Sequence, residues 1–117
     1  MKKVLIVEDD EDTLEMLGMF ASQLNYEVVL KPEITSTEEI REINPDLILL
    51  DHWVGQRLGG DFCSKLKGDP LTKHIPIVIM SAISNIGQIA MDAYADGALI
   101  KPFELEEVEA ISEAYMG

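Results

Sequence analysis

The sequence predicts one α/β domain over residues 1–117, in which helices cover both faces of a doubly wound parallel sheet of five strands. Two observations lead to this prediction. Short runs of branched aliphatic residues alternate five times with segments whose apolar residues recur at helical spacing. The length of 117 residues, with 47% hydrophobic and 26% charged residues, is typical of a single globular domain. No repeat, low-complexity tract or linker interrupts the pattern.

Residues 4–25 predict the first strand and the first helix. Val4–Val7 is an aliphatic run typical of a strand that is buried on both faces. Asp12, with Glu15 three positions later, predicts the N-cap of a helix that ends near Asn25. The residues predicted to form the buried face of this helix are Leu14, Leu17, Phe20, Ala21 and Leu24.

The next part of the chain predicts two further strands with a helix between them. Tyr26–Leu30 is predicted as the second strand, and Ser36 with Glu39 predicts the capping box of a second helix. This helix is expected to stop at Asn44–Pro45, because the residue before a proline avoids the α region. The third strand follows and ends at Asp51.

The second half of the chain predicts two more strand–helix units. A glycine-rich loop over residues 52–60 leads into a helix that ends at Gly68. Pro76–Met80 is predicted as the fourth strand, Asn85 as the cap of the next helix, and Gly97 as the residue that ends it. The fifth strand is predicted at Ala98–Ile100, and the apolar face of the last helix at Leu105, Val108, Ile111 and Tyr115.

Charge and cysteine content narrow the possible functions. A net charge of −13 opposes binding to nucleic acid and to anionic membranes, and it makes a cation the more natural ligand. The single cysteine, Cys63, permits no internal disulfide and fits a reducing compartment. No apolar run approaches the ~20 residues of a membrane helix, and the run after Met1–Lys3 is too short for a signal peptide. We therefore expect a cytoplasmic protein.

Polar side chains follow four of the predicted strands, at the point where each strand ends. They are Glu8 and Asp9, Asp51, Ser81, and Lys101. Parallel strands bring these ends to one edge of the sheet, where ligands bind in open α/β folds. Adjacent carboxylates repel one another and favour a cation such as Mg²⁺, which prefers oxygen ligands. An aspartate beside such a cation can act as a nucleophile toward a phosphoryl group, and a lysine and a hydroxyl group stabilise the transferring oxygens.

These strand ends resemble the signature motifs of a known family. Glu8–Asp10, Asp51 after two leucines, Ser81–Ala82 and Lys101–Phe103 are similar, in order and spacing, to the four motifs of response-regulator receiver domains. The resemblance covers essentially the whole chain. It implies a flavodoxin-like (βα)5 fold with strand order 2-1-3-4-5, and a signalling switch rather than a turnover enzyme. It also implies a sensor histidine kinase or phosphotransfer protein as the phosphoryl donor.

The resemblance also assigns roles to individual residues. Asp51 is implied as the phosphoryl acceptor, and Asp9, Asp51 and the backbone carbonyl of Trp53 are implied as direct Mg²⁺ ligands. Glu8 is implied to act on the ion through water. Ser81 is implied as the hydroxyl that moves toward the phosphoryl group. Lys101 is implied to pair with that group, and its bond to Pro102 is expected to be cis.

The sequence departs from the family pattern at three places. Ala98 stands where receivers usually carry an aromatic residue that changes rotamer on activation. The loop after Asp51 lacks the usual proline, is one residue longer, and contains Gly55, Gly59 and Gly60. The segment from Ser81 to Lys101 is slightly short, which predicts a short or displaced fourth helix.

Five residues outside the proposed motif roles receive separate predictions. Trp53 and Ile83 lie two positions after Asp51 and Ser81, where receiver side chains flank the path of attacking water. Because both are large and apolar, we predict slow autodephosphorylation, although Trp53 is equally suited to anchor a partner. His52 is predicted to point away from the acids, and Asp10 to be a cap or a solvated residue. Cys63 is predicted to lie in the core.

Two alternative functions remain open at this stage. A receiver-like interaction module that is never phosphorylated is favoured by Ala98 and by the altered loop, but the complete set of acid, hydroxyl and lysine residues opposes it. A Mg²⁺-dependent phosphatase would require a second acid two residues after the nucleophile, and Trp53 occupies that position. The downstream protein partner is not identifiable from the sequence, and the chain is expected to be a monomer or a homodimer formed on activation.

Overall fold

The computed structural model of the chain describes all 117 residues and contains seven strands and five helices. The strands are β1 (Lys3–Val7), β2 (Glu27–Lys31), β3 (Leu47–Asp51), β4 (Trp53–Val54), β5 (Arg57–Leu58), β6 (Ile77–Ser81) and β7 (Gly97–Ile100). The helices are α1 (Glu11–Gln23), α2 (Thr37–Ile43), α3 (Gly59–Gly68), α4 (Ile86–Asp92) and α5 (Leu105–Met116). None of these helices combines the length and the apolar character that a membrane crossing requires.

Five of the strands form one parallel sheet in the order β2-β1-β3-β6-β7. Counted over these five strands alone, the order is 2-1-3-4-5, so the predicted flavodoxin-like α/β fold is confirmed. The central strands β3 and β6 are buried along their whole length. This burial explains their nearly continuous aliphatic sequences, because helices cover both faces of the sheet and leave no solvated side.

The alternation of side chains along the strands divides the core into two layers. Leu5 and Ile48 belong to the layer that packs against α2, α3 and α4, and Leu49 belongs to the layer that packs against α1 and α5. Cys63 is fully buried in the first layer, as predicted. Burial raises the pKa of its thiol to about 11, so the thiol stays protonated at neutral pH. The predicted inner face of α5 is confirmed by the burial of Val108 in the second layer.

Two of the predicted helix starts need correction. The N-cap of α1 is Asp10 and not Asp12, because the Asp10 carboxylate accepts hydrogen bonds from the amide and the hydroxyl of Thr13 at 3.0 and 2.6 Å. The end of β1 at Val7 leaves a short turn, and the helix begins as soon as this turn is complete. Ser36 does cap α2. However, Glu39 does not complete a capping box, since its carboxylate contacts Thr35 and Lys31.

The fourth helix also differs in detail from the prediction. It is short, as predicted, with seven residues, but it ends at Asp92 rather than at Gly97. Gly97 instead begins β7, where its backbone pairs with Val78. Asn85 occupies the N-cap position of α4 without forming a side-chain hydrogen bond to the helix.

The region predicted as a glycine-rich loop, residues 52–60, contains regular structure. Strands β4 and β5 form an antiparallel hairpin, which we call the 53–58 hairpin, and Gly59 and Gly60 are the first residues of α3. Gly55 takes a positive φ of 63° in the turn, and glycine at the first central position is typical of tight hairpin turns. The hairpin was missed because each of its strands has only two residues, too few to show an alternation in the sequence.

Candidate functional site

Three carboxylates meet at the C-terminal edge of the sheet. Glu8 and Asp9 follow β1, and Asp51 is the last residue of β3, the neighbouring strand. Because Val7 pairs with Leu50, the residues that follow them lie side by side. One carboxylate oxygen from each of the three acids lies within 4.8 Å of the others. The predicted acid cluster is therefore present, with Glu8 and Asp51 buried and Asp9 exposed.

Lys101 directly follows β7, and its side chain reaches the acid cluster. Its Nζ atom is 2.9 Å from Oδ1 of Asp51 and 3.0 Å from Oε1 of Glu8. The following bond, Lys101–Pro102, is cis, as expected from the resemblance. Burial disfavours the charge on Lys101, but the hydrogen bonds to Asp51 and Glu8 outweigh this effect and raise its pKa above the ordinary value. Lys101 is therefore held as a cation against two carboxylates.

The carboxyl group of Glu8 has an unusual environment. Burial raises its pKa to about 7, the nearby charge of Asp51 acts in the same direction, and the hydrogen bond from Lys101 opposes the shift. Its Oε2 atom is buried and has no hydrogen-bond partner. An unpartnered buried carboxylate oxygen beside two further acids fits a hard cation such as Mg²⁺ or one of its bound waters. The residues present therefore fit a magnesium ion.

Ser81 lies at the end of the strand beside Asp51, and Trp53 lies two residues after Asp51 in the chain. Ser81 ends β6, the strand beside β3, where it is buried and its hydroxyl oxygen accepts a hydrogen bond from the amide of Ile83 at 3.2 Å. Trp53 begins the 53–58 hairpin two residues after Asp51, and its side chain is 51% exposed. Ile83 is 40% exposed, so both apolar residues named in the sequence prediction contact solvent near the site.

His52 does not contribute to the acid cluster. Its imidazole is buried against Gly60, where an added Cβ would lie 3.3 Å from its Cε1 atom, and Ala93 is close to the same point. Asp10 also lies outside the cluster, because its carboxylate caps α1. Both placements agree with the sequence prediction.

The sequence reasoning missed the contacts that Gly55, in the turn of the 53–58 hairpin, and Gly59, directly after the hairpin, make with the site. The amide of Gly55 donates a hydrogen bond to Oδ2 of Asp9 at 2.8 Å. The amide of Gly59 donates to the carbonyl of His52, and a Cβ at Gly59 would overlap the carbonyl oxygen of Asp51. The glycines themselves were noticed as a departure from the family pattern, but nothing local to the sequence shows that they approach the two aspartates.

A comparison with known protein families matches residues 4–113 to the response regulator receiver domain. Receiver domains are signalling modules of two-component systems that bind Mg²⁺ at an acidic pocket, and the cluster of Glu8, Asp9 and Asp51 has this character. The match covers nearly the whole chain, and the chain belongs to the family of response regulator receiver domains.

Individual relatives agree with this family. The chain is 28% identical over 113 residues to the DNA-binding dual master transcriptional regulator RpaA of Synechocystis, a match covering 94% of this chain and 47% of RpaA. It is 29% identical over 112 residues to the DNA-binding response regulator MtrA of Mycobacterium tuberculosis, covering 93% of this chain and 48% of MtrA. The chain therefore spans about half the length of the curated relatives it matches.

Solved structures show the same fold. A two-component response regulator from Clostridium difficile has a TM-score of 0.81 at 28% identity, with 99% of this chain and 96% of that chain covered. The receiver domain of the sensor histidine kinase PA1611 from Pseudomonas aeruginosa, solved with a magnesium ion in its active site cleft, has a TM-score of 0.89 at 21% identity, with coverage of 99% and 98%.

Proposed function

We propose that this chain is a phosphorylatable receiver domain that accepts a phosphoryl group on Asp51 and thereby changes its contacts with other proteins. The observation that carries the proposal is the setting of the Asp51 carboxylate. It is buried at the end of β3, 2.9 Å from the ammonium group of Lys101, and beside two further acids. The proposed donor is a phosphohistidine of a sensor histidine kinase or of a phosphotransfer protein.

The proposed transfer is a displacement at phosphorus. A carboxylate oxygen of Asp51 forms a bond to the phosphorus atom, and the bond between phosphorus and the histidine nitrogen of the donor breaks. Asp9, Asp51 and the Trp53 carbonyl would hold Mg²⁺ directly, with Glu8 acting through a water molecule. The bound ion would neutralise charge on the phosphoryl oxygens. Lys101 would supply the second positive charge, and its contact with Asp51 at 2.9 Å supports this role.

The proposed switch begins at Ser81. Its hydroxyl accepts the hydrogen bond of the Ile83 amide, so its own hydrogen is available to donate. Rotation toward a phosphoryl group on Asp51 would give this hydrogen a charged acceptor. Ala98 lies beside this region, paired with Ile79 in the sheet, and has no ring to follow the movement of Ser81. We infer that the signal leaves the site by another route than the usual aromatic residue.

A receiver-like interaction module that is never phosphorylated is the second candidate. Ala98 and the 53–58 hairpin favour it, because both lie at places where the sequence departs from the family pattern. The buried contact between Lys101 and Asp51 is the observation against it. A pure interaction module has no use for this cluster, since burying charges costs free energy.

Intact-mass spectrometry after incubation with acetyl phosphate and Mg²⁺ tests the proposal. The expected result is one phosphoryl adduct on the parent chain, which is lost when Mg²⁺ is chelated and is absent in Asp51→Asn. Asp46→Asn is a matched control, because Asp46 lies before β3 at the opposite edge of the sheet. No adduct on the parent chain, under conditions in which another receiver domain is labelled, would favour the interaction module.

The remaining assignments are proposals of the same kind. We propose that residues 1–117 fold as one receiver domain and act in the cytoplasm, as a monomer or as a homodimer formed on activation. RpaA and MtrA are named as DNA-binding proteins and are about twice as long as this chain. The domain itself carries a net charge of −13, so we expect it not to bind nucleic acid directly.

A further inference from the structure

The hydrogen bond between Gly55 and Asp9 joins two separate parts of the chain. Asp9 lies in the turn between β1 and α1, and Gly55 lies at the tip of the 53–58 hairpin, 46 positions later. The amide of Gly55 is 2.8 Å from Oδ2 of Asp9. Asp9 is exposed and forms no ion pair, so this amide is the group that fixes the direction of its carboxylate.

The backbone of Gly55 is left-handed where this bond is formed. Its φ of 63° lies in a region that glycine and asparagine adopt readily and that β-branched residues avoid. A Cβ built on Gly55 meets nothing within 4 Å, so a side chain at this position has room. A substitution here therefore strains the left-handed backbone of residue 55 and changes the preferred direction of its amide, but it causes no clash with neighbouring residues.

The other end of the hairpin is fixed against Asp51. Gly59 contacts the backbone of Asp51 so closely that a side chain at this position would overlap the Asp51 carbonyl. Its amide also donates to the carbonyl of His52, which closes the base of the hairpin. The hairpin is therefore attached at its base to one aspartate of the acid cluster and at its tip to another.

We propose that Gly55 is a positioning residue, whose amide holds Oδ2 of Asp9 so that the other carboxylate oxygen faces the metal position between Asp9 and Asp51. This inference rests on the proposed Mg²⁺ site and adds the 53–58 hairpin to it. An oriented ligand loses less freedom when the ion binds, and partners that orient metal ligands typically change affinity by about 10- to 100-fold. The hairpin thus sets the affinity of the site without contributing a side chain.

The test compares Gly55→Val with Gly55→Asn by calorimetric titration of Mg²⁺ into the unphosphorylated protein. Valine disfavours the left-handed backbone and asparagine tolerates it, while neither meets a neighbouring atom near its Cβ. We expect Gly55→Val to weaken Mg²⁺ binding by about tenfold and Gly55→Asn to restore binding to within about twofold of the parent chain. The fluorescence of Trp53, the single tryptophan of the chain, gives a second measurement of Mg²⁺ binding in each variant.

A double substitution separates positioning from loss of structure. Asp9→Asn already removes the carboxylate that the Gly55 amide holds. In this variant, Gly55→Val should therefore weaken Mg²⁺ binding by less than it does in the parent chain. Equal Mg²⁺ affinity of Gly55→Val and the parent chain would overturn the inference, as would equal weakening in both backgrounds. A parent chain that binds no Mg²⁺ would instead overturn the proposed function, and this inference with it.

Discussion

The two connections that carry the acids of the site are built in different ways. Between β1 and α1 there are three residues, all acidic, and the last of them caps the helix. Between β3 and α3 the chain forms a complete hairpin before the helix begins. The first connection is organised by contacts within the turn, such as the bond from the Thr13 amide to Asp10. The second is organised by contacts with distant parts of the fold.

The comparison shows how the acidic edge of the sheet is assembled from two kinds of turn. The short β1–α1 turn supplies two acids, but it does not fix the carboxylate of Asp9 by itself. The long β3–α3 connection supplies no acid after Asp51, but it donates the Gly55 amide that fixes Asp9. A loop that departs from the family pattern can therefore belong to the site even though it carries none of the motif residues.

The largest predicted effect concerns Glu8 in the short turn. Its pKa is raised to about 7 in the folded chain from an ordinary value of 4.5, so the folded state holds its proton more tightly than the unfolded state does. The contribution of protonated Glu8 to the free energy of unfolding is fully present below pH 4.5 and is lost as the pH rises to about 7. The loss is about 3 kcal/mol at 1.36 kcal/mol for each unit of pKa.

Urea unfolding of the metal-free chain at several pH values measures this effect. Glu8→Gln has no ionisable group at this position, so its free energy of unfolding should fall less than that of the parent chain over this pH range. The difference between the two chains should therefore change between pH 4.5 and 7. Parallel pH profiles for the parent chain and Glu8→Gln would contradict the raised pKa.

The next largest effect is expected at Gly59 in the long connection. A Cβ at this position would overlap the carbonyl oxygen of Asp51, and the backbone must move to admit it. Gly59→Ala should lower the free energy of unfolding by about 2 kcal/mol. Gly87→Ala is the matched control, because Gly87 lies in α4 with no atom within 4 Å of an added Cβ.

The control should instead gain up to about 1 kcal/mol, because alanine favours the helix. Urea denaturation of both variants decides between these outcomes. If Gly59→Ala is as stable as Gly87→Ala, the base of the hairpin does not press against Asp51.

A third prediction concerns the lifetime of the phosphoryl group. Trp53 and Ile83 lie two positions after Asp51 and Ser81 and are both partly exposed, and the resemblance to receiver domains implies that they flank the path of attacking water. Trp53→Asn should shorten the lifetime of the phosphorylated chain several-fold, because a polar side chain admits and orients water at the acyl phosphate. The decay of the adduct by intact mass is the measurement.

Leu71→Asn serves as the control for the lifetime experiment, since Leu71 is 61% exposed and lies away from the site in the segment before β6. Its adduct should decay at the rate of the parent chain. An unchanged lifetime in Trp53→Asn would favour the other interpretation, in which Trp53 anchors a protein partner.

The smallest effect is expected at Asp10, the residue of the short turn that caps α1. Asp10→Ala removes the acceptor for the Thr13 amide and should lower the midpoint of thermal unfolding by a few °C. The hydrogen bonds from Thr13 also lower the pKa of Asp10, so this stability is present at neutral pH and is lost as the carboxylate is protonated in acid. Asp12→Ala should leave the midpoint near that of the parent chain, and an equal loss in both variants would contradict the assignment of Asp10.

Much of the fold could be predicted because the buried strands carry a strong local signal. A strand covered on both faces must be apolar throughout, and its end is marked by the first polar residue. This rule located the ends of β1 and β3, and with them Glu8 and Asp51. The sequence signal for helix starts is weaker, because Asp10 and Asp12 are both suitable caps. The position at which β1 ends decides between them.

The βα alternation, the strand ends and the residue types at one edge of the sheet follow from local patterns in the chain. The contacts of Lys101 with Asp51 and Glu8, and the hydrogen bond from the Gly55 amide to Asp9, are visible only in the folded molecule. The physical reason is the range of the interactions involved. Apolar periodicity and capping act over a few residues and are visible in the chain, whereas these contacts join positions 46 to 93 residues apart and exist only after the sheet has formed.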